Sequence, residues 1–264
     1  MGGNNMFSIT QRGKPLSPDK YTWDEVNKVL TTSENYLVLD FSGYDGVTFK
    51  TGHSCTFNTG HSCTFDTSSG CTFKTGYGCT FDTGGDCTFD TGWDCTFNTG
   101  DDCTFKTGWN CTFKTSSDCT FNTGSGCTFN TSSGCTFNTG SGCTFNTGSG
   151  CTFDTGNNCT FKTSIRCTFN TGWNCTFDTN SFCTFNTGSA CTFDTGDSCI
   201  FKTGDDCTFK TGGGCTFKTG DGCTFEVDGI LCKYPNTKDD FIENLKSGWK
   251  HFKVTKDDLL DVLI

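Results

Sequence analysis

One eight-residue phrase, C-T-F-x-T-G-x-x, repeats from Leu39 to Ile230 almost without a break. Cysteine recurs at every eighth position from Cys55 to Cys223, with Phe two residues behind each one. Two opening copies, Leu39-Asp40-Phe41 and Val47-Thr48-Phe49, put an aliphatic residue in the cysteine's place. A period this regular makes each copy one structural unit, which buries its apolar face only by stacking on its neighbours.

Side chains of an extended strand alternate between faces. Burying Phe at position 3 draws positions 1 and 5, Cys and Thr, inside with it. Positions 2 and 4 then face solvent, and position 4 is polar throughout. Gly at position 6 is expected to supply a positive φ, and positions 7 and 8 complete a tight turn. Each octad is therefore one strand and one corner of a β-solenoid.

Departures from the consensus set the size of the coil. The large aromatics at position 7, Tyr77, Trp93, Trp109 and Trp173, are separated by multiples of 16. So are the departures from Gly at position 6, which are Ser68, Ser116, Ser132, Ser164 and Asn180. The two sets occupy opposite octad parities, whereas a three-sided coil would scatter the aromatics over all its corners. The expected fold is all-β, a two-sided parallel β-solenoid with 16 residues per coil. Residues 39–230 make about 12 coils and a rod of about 57 Å, at ~4.8 Å per coil. Phe should face Phe at its centre, with Cys opposite Thr near each edge.

Small helical caps are expected at both ends. In residues 1–38, Phe7-Ser8-Ile9-Thr10 reads as a strand. Ser17-Pro18-Asp19 reads as a helix start, with Trp23, Val26 and Val29-Leu30 on the apolar face. In residues 231–264, helices are expected over 238–245 and 256–264, the second capped by Thr255.

Of 23 cysteines, 22 hold one position of the octad and only Cys232 lies outside it. In-register neighbours place Cβ atoms ~4.8 Å apart, beyond the roughly 3.5–4.5 Å of a relaxed disulfide. The reading is buried free thiols that serve as small hydrophobes. Structural zinc sites use close cysteine pairs, which the octad lacks, so no metal or other cofactor is expected. The net charge of −10 lies wholly in the array, with 9 basic against 19 acidic residues. Neither nucleic acid nor membrane is an expected partner. The corners, including Asp101-Asp102 and Asp205-Asp206, carry most of the acid, without a calcium-loop pattern. No Sec-type signal opens the chain, so host cytoplasm or virion is the expected location.

Candidate binding residues form one corner column: His61, Tyr77, Trp93, Trp109 and Trp173. Such a strip either stabilises the corner or grips a sugar, a partner protein or another copy of the chain. Outward Thr ladders invite comparison with ice-binding solenoids, but Lys and Asp at position 4 interrupt an ordered water layer. His53, His61 and His251 sit in no catalytic constellation, so the chain is not read as an enzyme.

Octads such as Cys143-Thr144-Phe145-Asn146-Thr147-Gly148-Ser149-Gly150 resemble the octapeptide-repeat proteins encoded by bacteriophages and giant viruses. The lead-in Leu37-Val38-Leu39-Asp40-Phe41-Ser42-Gly43-Tyr44 is similar to the entry segment of those proteins. The resemblance implies a β-solenoid of viral origin and carries no activity with it. A more distant similarity, to pentapeptide-repeat proteins, involves a different period and a four-sided coil. The expected role is a non-enzymatic structural or interaction solenoid, a viral accessory or appendage protein. Its partners would be itself, another structural protein or a glycan. The alternative is a binder of ice or glycan, and the third reading is an acidic DNA mimic.

Overall fold

The computed structural model describes residues 7–227 and the strands Ile230–Lys233 and Lys253–Val254. It is an all-β parallel solenoid of about 12 turns, with about 16 residues per turn and two sheets. The coils are divided between two compact units, residues 1–135 and 136–264.

In the first unit, successive strands alternate between the sheets, so each strand pairs with the one 16 residues away. Thr80–Asp82 pairs in parallel with Thr96–Thr99, and Phe81 sits beside Phe97. On the other sheet Thr88–Asp90 pairs with Thr104–Lys106, placing Phe89 beside Phe105. The second unit repeats the arrangement, with Phe153 beside Phe169 and Phe161 beside Phe177.

This register creates two kinds of ring contact. Phe97 stacks on Phe81 and Phe113 at 4.8 Å, within 3° of parallel. It meets Phe89 and Phe105 of the facing sheet edge-on at 5.2 Å and 77°. Every Phe from Phe49 to Phe225 at this position is essentially inaccessible to solvent. Burying such a ring contributes ~1.5–3 kcal/mol, and an aromatic pair adds about 0.5–1.5 kcal/mol. Cys and Thr flank the rings as expected. Some Thr hydroxyls donate to the next residue's carbonyl, as from Thr83 to Gly84 at 3.2 Å. Others, including Thr91 and Thr115, find no partner of normal geometry, and Thr115 lies beside the Cys119 thiol.

The corners correct one expectation. Positive φ belongs to position 8, not to Gly at position 6: Asp94 has φ +55°, Asn110 +56° and Gly78 +67°. Position 6 is Gly because neighbouring coils approach there. A Cβ on Gly108 would lie 3.1 Å from the Trp93 amide nitrogen and 3.2 Å from the Gly92 carbonyl carbon. The amide of Gly108 donates to the carbonyl of Gly92 at 3.0 Å. At the other corner of the first unit the corresponding bonds, Gly100 to Gly84 and Ser132 to Ser116, are 3.3 Å long. The looser corner is the one that admits Ser.

The N-terminal cap also differs. The predicted helix with Trp23, Val26, Val29 and Leu30 on one face is absent. One 3-10 turn, Pro18–Lys20, leads into an antiparallel pair, Thr22–Asp24 with Val29–Thr31. Val29–Thr31 then pairs in parallel with Thr48–Thr51, so Leu30 already occupies a Phe place, beside Phe49. Trp23 instead falls on the first strand and Val29 and Leu30 on the second, where β-branched Val29 fits the pleat, and Val26 stands exposed on the turn between them. The entry octad is shifted too: Leu39 aligns with Phe57 and Phe41 with Thr59, so Leu37 falls two places earlier, where later strands carry Cys. Phe7 stacks on Phe41 at 4.4 Å, and Trp23 and Tyr44 pack around both, closing the end of the ring ladder. The expected strand at Phe7–Thr10 appears as Ser8–Gln11. At the other end, Ile230–Lys233 covers Thr224–Val227 as an antiparallel edge strand. The helices expected over 238–245 and 256–264 fall outside the described residues.

Phe97→Ala is expected to cost about 3–5 kcal/mol in denaturant unfolding, because one deletion removes four ring contacts in a dry core. Phe182 occupies position 8 at φ +62°, a conformation that costs an L-residue roughly 1–2 kcal/mol. Phe182→Gly should therefore raise stability by about 1 kcal/mol in the same assay.

Candidate functional site: an aromatic corner

Each corner residue at position 7 is held by three elements. Its carbonyl accepts the amide of position 8 from the preceding coil, as Trp93 accepts from Gly78 at 2.9 Å and Trp109 from Asp94 at 3.1 Å. The same carbonyl accepts the thiol two residues on: Cys79 to Tyr77 at 3.6 Å, Cys95 to Trp93 at 3.5 Å, Cys111 to Trp109 at 3.6 Å. Gly at position 6 lets the backbones close up. The corner can thus carry a large side chain outward without disturbing the coil.

In the first unit the rings form a continuous stack. His61 lies on Tyr77 at 4.0 Å, Tyr77 on Trp93 at 4.9 Å, and Trp93 on Trp109 at 5.1 Å, all within 20° of parallel. The Nδ1 atom of His61 also accepts the Tyr77 amide at 3.3 Å, which selects the Nε2–H tautomer. The stack covers the ring faces and leaves the edges exposed. Trp93, covered on both sides, is 38% exposed, whereas Trp109 at the end of the stack is 52% exposed. Trp173 is not part of it. It stands in the second unit, 53% exposed, with its amide donating to Asn157 Oδ1 at 3.0 Å. The structure therefore brings together four of the five predicted residues and leaves Trp173 separate.

The flat faces differ from one another. In the first unit Lys106 pairs with Asp90 at 3.8 Å, one coil apart. In the second unit one sheet carries a run of Asx side chains: Asn186 Nδ2 donates to Asn170 Oδ1 and Asn170 Nδ2 to Asp154 Oδ1, both at 3.0 Å. Exposed Thr152, Thr168 and Thr184 run alongside.

The 22 thiols of the array are buried, and no disulfide joins them. Hydrogen bonding to thiols one coil away, followed by burial, pushes Cys71 and Cys119 up. Cys63, first in its column, goes the other way: a hydrogen bond from Cys79 lowers it to about 7. Its side chain is nonetheless closed to solvent, so no electrophile reaches it. Among the described residues no group of three or more His, Cys, Asp or Glu is placed to hold a metal ion. His53 Nδ1 lies 3.0 Å from Ser54 Oγ, but the two are chain neighbours on a half-buried turn.

Sequence reasoning missed a second cluster, at the other corner of the second unit. Phe182 is 58% exposed and Ile200, the sole Ile at position 2, is 53% exposed. Ile165 and Arg166 occupy the same corner one coil before Phe182. The signal was available, since each of these residues breaks the octad where it is otherwise polar or small.

No protein-family model matches the chain, and no curated protein or solved structure matches it either.

Two results are expected. Trp93→Ser should cost about 1–3 kcal/mol by losing two stacked contacts, and Trp173→Ser should stay within about 0.5 kcal/mol of wild type in thermal unfolding. Iodoacetamide should label none of the 22 array thiols in the native protein and all of them after denaturation, read by intact mass.

Proposed function

We propose that this chain is a non-enzymatic structural solenoid whose aromatic corner is a protein-docking strip. Its resemblance to phage and giant-virus octapeptide-repeat proteins suggests a viral accessory role. The observation that carries the reading is the stack His61-Tyr77-Trp93-Trp109. A sugar packs its C–H face on an open ring face, and here neighbours cover those faces except at the ends of the stack. What remains is a ridge of ring edges, one phenol hydroxyl and two indole N–H groups, which suits a protein surface with apolar contacts and acceptors. Asp94, exposed beside Trp93, adds an anionic contact.

The Thr and Asx lattice of the second unit favours one other reading, an ice-binding face. Its hydrogen-bonded amides supply order, and its strands Thr152–Thr155, Thr168–Thr171 and Thr184–Thr187 lack the Lys that breaks the pattern elsewhere.

The full chain, with a Trp93→Ser/Trp109→Ser variant beside it, separates these readings on a glycan array and in a thermal-hysteresis assay. The docking reading predicts no hysteresis and no glycan signal that the double substitution removes. A glycan lost with Trp109 would replace the docking strip with a carbohydrate site. Hysteresis in both proteins would move the function to the flat face.

A further inference from the structure

We infer that the aromatic corner of one molecule docks on the Ile165-Arg166-Phe182-Ile200 corner of a second copy, so that the chain associates with itself through two unlike patches. The inference rests on the docking reading of the aromatic strip and names its partner.

The second patch is concentrated where chance would scatter it. Position 8 of the octad is Gly, Ser, Asn or Asp at nearly every corner, because these residues tolerate positive φ. Arg166 and Phe182 break that rule on consecutive coils, at φ +59° and +62°. Ile165 is the one β-branched residue at position 7, and Ile200 is the one position-2 residue of the cysteine octads that is not Thr. All four fall within three successive coils. The edge they share is formed by one corner and the strand that follows it: Ile200–Lys202 lies beside Thr184–Thr187, whose corner holds Phe182. Backbone strain accepted in order to expose a phenyl ring and a guanidinium points to a contact made elsewhere. Arg and aromatic residues are also the types that dominate interface energetics.

The two patches fit one another in chemistry and in period. The aromatic strip offers ring edges from Tyr77, Trp93 and Trp109, with Asp94 at its middle coil. The second patch offers aliphatic and phenyl surface with Arg166, the single arginine of the array. Neither Arg166 nor Asp94 has an ion-pair partner among the described residues. Both patches advance along their units at the coil repeat, seen as the 4.8 Å Phe stacking in each. Successive apolar side chains can therefore interleave without a mismatch that grows. Unlike patches make a heterologous contact, which leaves one free patch of each kind and so permits further addition.

Sedimentation velocity of the full chain across a concentration series tests this. Wild type should grow in mass with concentration beyond a dimer. Phe182→Gly and Trp109→Ser should each weaken association at least tenfold. Both use residues found at equivalent corners, Gly150 and Ser125, so folding is retained. Mixing the two variants should restore a dimer that grows no further, since each keeps the patch the other lacks. Arg166→Asp should weaken association and Asp94→Arg combined with it should restore growth. A monomeric wild type, association indifferent to Phe182→Gly, or a mixture that forms no dimer would each overturn the contact. None of these would disturb the docking reading of the strip, which the glycan and ice assays decide.

Discussion

The structure depends on a match between two lengths. Parallel strands sit about 4.8 Å apart, and the centroids of offset-stacked aromatic rings lie at nearly the same distance. Identical Phe residues on successive coils therefore stack without tilting, as Phe97 does between Phe81 and Phe113 at 4.8 Å. The facing sheet inserts its own rings edge-on at 5.2 Å. Two ladders then fill the space between the sheets, and the remaining inward positions take small residues. Cys and Thr are of similar volume, and a thiol tolerates burial better than most polar groups. The unpartnered hydroxyls of Thr91 and Thr115 show the cost of that economy.

Most of the fold was legible because one periodicity specifies it. The two-sided, 16-residue coil followed from the spacing of Trp93 and Trp109 and from the parity of Ser116 and Ser132, and the structure has that coil. What the repeat did not specify was less legible. Trp23, Val26 and Val29 recur at a spacing that suits a helix, yet the exposed parallel edge at Thr48–Thr51 recruits Val29–Thr31 as a strand. The entry strand slipped by two residues because Leu39 fits a Phe place and the side-chain period of two keeps the inward face unchanged. The role of the corner glycine was assigned to the wrong cause. Close approach of backbones, not positive φ, excludes a side chain at Gly108.

The candidate site was legible by the same logic. A uniform phrase makes every departure conspicuous, and four of the five named aromatics do form one stack. The cluster at Ile165, Arg166, Phe182 and Ile200 was missed because its members fall at three different octad positions, which only the coil geometry brings to one edge. The thiol columns look chemical in the sequence and are structural in the fold: their sulfur atoms donate to corner carbonyls, such as that of Trp93, and support the residues exposed outside.

The 16-residue register puts Trp93 against Trp109. Two deletion variants of equal length test it through the exciton couplet of that indole pair in circular dichroism. Removing residues 111–126 takes out one full coil beyond the pair, and the couplet should persist. Removing 95–102 and 119–126 takes out as many residues and restores the register downstream, but moves Trp109 to the opposite corner. The couplet should then vanish. Its survival in the second variant, or its loss in the first, would contradict the two-octad coil.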